Sequence, residues 1–195
     1  AISGNIGSGK TTLCKHLEQQ LPSSTVIYER FEENPHLAPF YEHLKQHGLV
    51  YNPHSYQCQL KFLQGRINQE SEIFGNQHKN SSKQFYIVDR SIFEDASVFA
   101  KSQNKSGLMN NPEYSKYTSY LQSNLENIRI PDLLIYLKME PKKLYERIQK
   151  RGRDMEKEIS EEYLRSLQGL YESFIEEIKT MGTQVVEVQT DNMDD

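Results

Sequence analysis

Hydrophobic positions along the chain follow two alternating patterns. Short runs of β-branched and other apolar residues, typical of strands, are each followed by a longer stretch with apolar residues at helical spacing. The run DLLIYLKM (132–139) is almost continuously apolar, which suits a strand buried on both faces of a sheet. Such alternation is typical of βαβ units, and it predicts an α/β fold with a parallel sheet.

The pattern can be resolved into individual elements. The predicted strands cover 1–3, 25–31, 84–91, 132–139 and 183–190. The predicted helices cover 11–21, 53–74, 92–103, about 113–128, 141–151 and 160–181, with a polar loop at 75–84. The chain shows no repeat and no long linker, so residues 1–195 are expected to form a single domain. The first strand looks cut short and the fifth lacks a closing helix, so both termini are expected to be incomplete.

Composition narrows the class of protein. The net charge of −4 argues against a general nucleic-acid binder, which would carry a basic face. Cys14 and Cys58 lack any metal-ligand or disulfide spacing, which favours a reducing compartment. No apolar run is long enough for a membrane span. We therefore expect a cytoplasmic protein without nucleic-acid or membrane partners, or a mitochondrial one if a targeting segment precedes the chain.

A glycine-rich motif follows the first predicted strand. The residues GNIGSGKT at 4–11 fit GxxxxGK[ST], the P-loop, in which backbone N–H groups and a helix N-terminus surround phosphate. Lys10 would reach the terminal phosphates, and the Thr11 hydroxyl would bind Mg²⁺. The sequence NKSG at 104–107 differs from the guanine-specific NKxD, so ATP is the expected nucleotide. The predicted ATP-binding residues of this loop are Gly4, Asn5, Ile6, Gly7, Ser8, Gly9, Lys10, Thr11 and Thr12.

Charged residues follow the second and third predicted strands. Glu29 comes at the end of one, and Asp89 and Arg90 at the end of the next. Ligands bind at the carboxyl ends of strands in open α/β sheets. Transfer of a phosphoryl group to a hydroxyl requires a base and nearby cations. Asp89 is further suited to orient Mg²⁺ together with Thr11.

Three further motifs, combined with the P-loop, point to a family. YERFEENP, DRSIFED and RIQKRGRDME occur in order along nearly the whole chain, and together they resemble the deoxynucleoside kinases. The ENP and KRGRD forms look closest to the bacterial-type purine branch. The resemblance implies a P-loop kinase fold with a five-stranded parallel sheet flanked by helices. It implies phosphorylation of a purine deoxynucleoside 5′-hydroxyl by ATP and Mg²⁺, with deoxyguanosine, deoxyadenosine and deoxycytidine all open as acceptors.

The resemblance also assigns catalytic roles. Glu29 would be the base for the 5′-hydroxyl, and Arg90 would steady the 5′-oxygen and the base beside the catalytic Lys10. The family usually has proline after this glutamate, whereas this chain has Arg30. An arginine-rich lid at about 147–159 would close over ATP. Its predicted ATP-binding residues are Arg147, Arg151 and Arg153, which could instead complement a helix C-terminal dipole.

A nucleobase pocket follows from the same resemblance. Gln59 would pair with the base edge, with Gln57 as a rival, and Phe99 would stack on the ring. Arg66 and Asp95 stand where thymidine-specific relatives carry small or apolar residues, which favours a purine or cytosine. Both could equally form a structural salt bridge.

The sugar pocket and its walls complete the predicted substrate site. Tyr41 and Glu156 would hold the 3′-hydroxyl, and Ile6 and Leu37 would line the wall. Asn34 stands where several relatives place a tryptophan beside the base, and this chain has no Trp.

Two other functions remain open from the sequence. One is a nucleoside monophosphate kinase resembling thymidylate kinase, and the other is a non-catalytic nucleotide-binding subunit. A homodimer paired through helices, with 113–128 as a candidate, is the expected assembly. The histidines are interpreted as polar surface residues: His36, His43, His47 and His54.

Overall fold

The computed structural model describes residues 1–77 and 85–191. Most of the predicted loop at 75–84 therefore lies outside the described residues, and its first three positions belong to a helix. The strands are β1 (Ile2–Gly4), β2 (Ser24–Ile27), β3 (Phe85–Val88), β4 (Leu133–Lys138) and β5 (Gln184–Gln189). The helices are α1 (Lys10–Gln20), α2 (Leu37–His47), α3 (Ser55–Gln77), α4 (Ile92–Glu94), α5 (Lys101–Lys105), α6 (Asn111–Gln122), α7 (Pro141–Arg151) and α8 (Glu161–Thr180).

All the pairings between these strands are parallel, which confirms the predicted α/β class. The five predicted strands are all present, but they form two ladders rather than one continuous sheet, β1-β4-β5 and β2-β3. One bridge joins the two, where Arg90 N–H donates to the Ile2 carbonyl at 3.0 Å and Ile2 faces Asp89. The pairing does not continue past Asp89, because the next residue, Arg90, has a φ of 72° and leaves the strand conformation. The resulting order across both ladders is β2-β3-β1-β4-β5.

The segment after β2 departs most from the sequence prediction. The strand predicted over 25–31 ends at Ile27, and Phe31–Glu33 forms a 3₁₀ turn. The backbone leaves the sheet here because Glu29 turns toward buried arginines on other elements.

Helix α2 was not predicted at all. Its core-facing side chains are Leu37, Phe40 and Tyr41, spaced for one face of a helix. Pro39 falls in the first turn, where a missing N–H breaks no helical hydrogen bond.

Helices cover the sheet and enclose one large core. A π-helical stretch, Asp95–Ala100, joins α4 to α5, and α8 packs against it. Tyr136 of β4 stacks on Tyr171 of α8 with ring centroids 5.6 Å apart. The helix predicted to 128 ends at Gln122, followed by a 3₁₀ turn at Leu125–Asn127. None of the described helices is both long and apolar enough to cross a membrane.

Candidate active site

A cavity of about 530 Å³ opens at the carboxyl ends of β1, β2 and β3. This is the edge at which open α/β sheets bind their ligands. The structure brings most of the predicted site residues together on its wall. They are Ile6, Gly7, Lys10, Thr11, Glu29, Leu37, Tyr41, Gln59, Asp89, Arg90, Asp95, Phe99, Arg151, Arg153 and Glu156.

The glycine-rich loop 4–9 adopts a backbone that other residues avoid. Gly4, Gly7 and Gly9 all have positive φ, at 149°, 85° and 93°. A Cβ on Gly4 would lie 2.6 Å from Ser8 Oγ and 2.7 Å from the Leu137 carbonyl oxygen. The loop therefore needs glycine both for its dihedral angles and for its close approach to β4.

Lys10 is buried beneath this loop. Its Nζ donates to the carbonyl oxygens of Gly4 at 2.8 Å and Asn5 at 3.0 Å. Burial lowers the pKa of Lys10 to about 8, with the positive charge of Arg90 acting in the same direction. An anion in the cavity would offset that desolvation.

The other predicted loop residues have different surroundings. Asn5 is buried behind the loop and donates to the Leu164 carbonyl at 2.9 Å, which anchors the loop to α8. Ser8 Oγ is buried without a hydrogen-bond partner among the described residues. Thr12 is exposed and lies off the cavity wall, whereas Thr11 lies on it.

Thr11 and Asp89 meet at the cavity floor. Thr11 Oγ1 donates to Asp89 Oδ2 at 2.7 Å, although the two residues lie on separate elements. Asp89 Oδ1 is buried and accepts no hydrogen bond within the described part of the chain. A hydroxyl and a carboxylate oxygen with unused acceptor capacity are ligands that Mg²⁺ prefers, so these residues fit the ion.

Glu29 lies between two arginines. Its Oε1 is 2.9 Å from Arg66 Nη2 and 3.3 Å from Arg90 Nε. Burial raises the pKa of Glu29, but the positive charges of Arg90 and Arg66 outweigh that effect and leave the pKa below its usual value. Its side chain remains 21% exposed. A charged carboxylate thus faces the cavity beside Lys10.

Arg66 and Asp95 form a buried pair with wider connections than the sequence suggested. Arg66 Nε donates to Asp95 Oδ2 at 3.0 Å, and Nη1 donates to the Asp89 carbonyl at 3.0 Å. Burial raises the pKa of Asp95 to about 6, against the opposing charge of Arg66. Arg66 itself lies off the main cavity and lines a second cavity of about 360 Å³ behind it.

The predicted nucleobase residues share the inner wall. Gln59 is 4% exposed, and its amide makes no hydrogen bond with the described residues. Phe99 lies under the Arg90 guanidinium, 4.3 Å from the ring centroid. Asn34 donates to the Cys58 carbonyl at 2.9 Å and so braces the helix turn before Gln59. Gln57 is exposed and lies off the cavity wall, whereas Gln59 lies on it.

Two of the three arginines predicted for the lid converge on Glu156. Arg151 Nη2 donates to Glu156 Oε2, and Arg153 Nη1 donates to Oε1 at 3.3 Å. Arg153 also lies over the Phe31 ring, 4.6 Å from its centroid. Tyr41 lies on the same cavity wall as Glu156. Arg147 is outside the wall, but its Nη1 would be 3.9 Å from a Cβ on Gly9.

Sequence reasoning missed two buried residues next to the site, Glu94 and Tyr171. Glu94 Oε1 accepts from Arg90 Nη1 at 2.6 Å, and the Tyr171 hydroxyl lies 2.6 Å from the same oxygen. The spacing of four residues from Arg90 at a helix start, after the N-cap Ser91, was the available signal for Glu94. No such signal was available for Tyr171, because it lies on α8, far from Arg90 along the chain.

Two of the histidines lie close together on α2. The rings of His43 and His47 have centroids 4.4 Å apart, with their planes tilted by 44°. Within the described ranges, no three His, Cys, Asp or Glu side chains are grouped so that they could hold a metal ion.

Comparisons with known proteins identify a family for this chain. A family model described as deoxynucleoside kinase matches residues 1–195. A deoxyadenosine kinase of Dictyostelium discoideum is 38% identical over 178 residues, covering 91% of this chain and 66% of that protein. A deoxyguanosine kinase of the same organism is 33% identical over 196 residues, covering 100% and 64%. The chain thus spans slightly less than two thirds of the length of these two relatives.

A solved structure is similar over almost the whole chain. It is a deoxyadenosine kinase from M. mycoides with the products dCMP and a flexible dCDP bound, and it aligns with a TM-score of 0.78. The sequences are 26% identical, and the alignment covers 96% of this chain and 88% of that chain.

Proposed function

The chain belongs to the deoxynucleoside kinase family, and we propose that it transfers the γ-phosphoryl group of ATP to the 5′-hydroxyl of a purine deoxynucleoside. One observation carries this proposal: the Glu29 carboxylate shares a cavity with Lys10 and with the Thr11–Asp89 pair. A carboxylate able to accept a proton from a hydroxyl thus lies in the same cavity as groups suited to bind phosphate and Mg²⁺. A kinase acting on a monophosphate would bring a second anion to the same carboxylate, which would repel it.

The donor side of the cavity would bind phosphate. The loop 4–9 and Lys10 would surround the β- and γ-phosphates, and Thr11 and Asp89 would hold Mg²⁺. When bound, Mg²⁺ would offset the negative charge of the phosphates. We assign the P-loop kinase fold to this arrangement. Arg147, Arg151 and Arg153 belong to a lid at about 147–159, whose forked donors suit phosphate oxygens.

Glu29 would act as the general base. It is ionised at neutral pH because Arg90 and Arg66 hold its pKa low. The proton of the 5′-hydroxyl would pass to Glu29 as the 5′-oxygen bonds to phosphorus and the bond to the ADP leaving oxygen breaks. Arg90 would stabilise the negative charge near the 5′-oxygen. Lys10 would stabilise the charge on the phosphoryl oxygens.

The acceptor would lie along the inner wall. Gln59, whose amide has no partner among the described residues, would pair with the base edge, and Phe99 would stack on the ring. Asp95, with Arg66 behind it, would recognise the polar edge of a purine. Tyr41 and Glu156 would hold the 3′-hydroxyl between walls formed by Ile6 and Leu37. The relatives named deoxyadenosine and deoxyguanosine kinase favour a purine.

The base assignment is tested by Glu29→Gln, which keeps the shape of the side chain and removes its negative charge. We expect kcat to fall about 100-fold or more, because a positioned base contributes about that factor. ATP should still bind, as measured by calorimetry. Glu42→Gln, an exposed change on α2 away from the cavity, should keep the activity of the unmodified chain. Unchanged turnover in Glu29→Gln with ATP bound would show that another group is the base.

A further inference from the structure

Glu94 is a carboxylate sealed inside the protein next to the candidate site. It is 0% exposed, and its Oε1 faces three donors. Arg90 Nη1 donates at 2.6 Å, the Tyr171 hydroxyl lies at 2.6 Å, and the Gly4 N–H donates at 3.4 Å. Neither Glu94 nor Tyr171 lines the main cavity, so neither is placed to touch a ligand.

A gain in folding stability does not by itself explain why the Glu94 carboxylate is buried. A buried ion pair often contributes no more than well-packed apolar side chains would, because both charges must leave water. Glu94 Oε2 moreover accepts no hydrogen bond within the described part of the chain. A charge kept under these conditions suggests a role in orienting its partner.

That partner is Arg90, whose geometry is tightly constrained. Its backbone has a φ of 72°, unusual for a residue with a side chain, and its guanidinium lies over the Phe99 ring. Nη1 is taken by Glu94 and also donates to the Tyr171 hydroxyl at 2.9 Å. Nε therefore remains for Glu29, at the longer distance of 3.3 Å.

The same cluster reaches the phosphate loop. The Tyr171 hydroxyl lies 2.8 Å from the Gly4 carbonyl oxygen, and Lys10 Nζ donates to that same oxygen at 2.8 Å. Glu94 and Tyr171 thus contact both the residue that starts the loop and the arginine beside Glu29.

We propose that Glu94 and Tyr171 are positioning residues, which hold one edge of the Arg90 guanidinium away from Glu29 so that its carboxylate stays available as a base. This inference rests on the proposed function. Without Glu94, the Arg90 guanidinium would shift toward Glu29 and present its Nε–Nη2 edge as a closer, two-donor pair. That pair would make Glu29 a weaker base and displace Arg90 from the 5′-oxygen.

The test compares Glu94→Gln with Glu172→Gln, the same change at an exposed position next to Tyr171 on α8. Glutamate carboxyl carbons labelled with ¹³C are titrated by NMR in the ligand-free protein, and Glu29→Gln identifies the Glu29 signal. Glu29 faces Lys10, Arg66, Arg90 and Asp95, all kept in both variants. We expect Glu29 to titrate at lower pH in Glu94→Gln and at the original pH in Glu172→Gln.

Kinetics give a second readout. In Glu94→Gln we expect kcat to fall about 10-fold or more, since small displacements of catalytic groups have effects of this size or larger. The KM for ATP should change little. An unchanged Glu29 titration in folded Glu94→Gln would overturn the proposal, even if kcat fell. The titration needs no turnover. If the chain phosphorylates no deoxynucleoside, the proposed function is contradicted, and the Glu29 titration still decides whether Glu94 positions Arg90.

A second variant protects the test against misfolding. Tyr171→Phe keeps the Glu94–Arg90 ion pair and the ring stacked on Tyr136, and removes only the hydroxyl. It should shift the Glu29 titration in the same direction by a smaller amount. If Glu94→Gln does not fold, the Glu29 titration in Tyr171→Phe tests the proposal instead. An unchanged Glu29 titration in Tyr171→Phe would overturn it.

Discussion

Arg66 makes more hydrogen bonds within the protein than a residue that only recognises a nucleobase would need. It joins Asp95 to Glu29 and to the Asp89 backbone, and it lies behind the main cavity rather than on its wall. A residue in this position would act on Glu29, the proposed base, as well as on the proposed nucleobase pocket. Gln59, in contrast, faces the cavity with an amide that has no partner among the described residues.

These positions predict different kinetics for Arg66→Met and Gln59→Leu. Arg66→Met should lower kcat about 10-fold or more with every deoxynucleoside, because Glu29 loses one of the two guanidinium groups that orient it. Gln59→Leu should raise KM and reduce selectivity among nucleobases. Lys61→Met, at an exposed cation on the same helix, is the control. If both variants lost nucleobase selectivity equally and kept kcat, Arg66 would act only in nucleobase recognition.

The sequence predicted residues that follow strands better than residues that meet across the core. Glu29, Asp89 and Arg90 could be placed because the carboxyl ends of parallel strands converge on one edge. The meeting of Arg90 with Tyr171 depends on how α8 packs on the π-helical stretch, which no local pattern encodes. The contacts of Arg66 with both Asp95 and Glu29 could not be predicted for the same reason, since tertiary contacts set its orientation.

Among the elements, the loop 4–9 is the one most limited by space. Gly4 pairs with Leu137 in the β1–β4 ladder, so neither backbone can move aside for a side chain. Gly182 also has positive φ, at 96°, but an added Cβ there would meet nothing within 4 Å. Substituting Gly182 therefore measures the effect of strained dihedral angles alone, whereas substituting Gly4 adds the effect of crowding.

Gly4→Ala should be the more damaging of these two changes. We expect Gly182→Ala to lower the free energy of unfolding by about 1 kcal/mol, from the dihedral angle alone. Gly4→Ala should lower it by about 3 kcal/mol, because overpacking adds to the strain, and should abolish ATP binding. Urea titrations followed by circular dichroism measure the first effect, and calorimetry with ATP measures the second. Equal losses of stability would mean that the loop can move away from Leu137.

The elements themselves were predictable where a single pattern dominated. The continuous apolar run of β4 and the regular spacing in α8 gave correct element types. Helix α2 was missed because a proline lies among its apolar positions, although Pro39 falls where a helix tolerates it. The second strand was extended too far because YERF continues the apolar pattern, while the ion pairs of Glu29 draw the chain out of the sheet.

At the scale of the whole molecule, the cavity depends on elements from almost the entire chain. The loop after β1, the ends of β2 and β3, helix α3 and the segment after α7 all contribute side chains to its wall. The order β2-β3-β1-β4-β5 places β1 centrally, so its loop faces both the Glu29 side and the arginines that follow α7. The single domain, the homodimer through helices and the cytoplasmic location stay predictions.

The activity proposed for this cavity is phosphorylation of a purine deoxynucleoside. The most direct test is a set of initial rates with ATP and Mg²⁺, using deoxyguanosine, deoxyadenosine, deoxycytidine, thymidine and deoxyguanosine monophosphate at one low concentration. We expect the fastest turnover with a purine deoxynucleoside and little with the monophosphate. Faster turnover of the monophosphate, or no turnover of any acceptor while ATP binds, would contradict it.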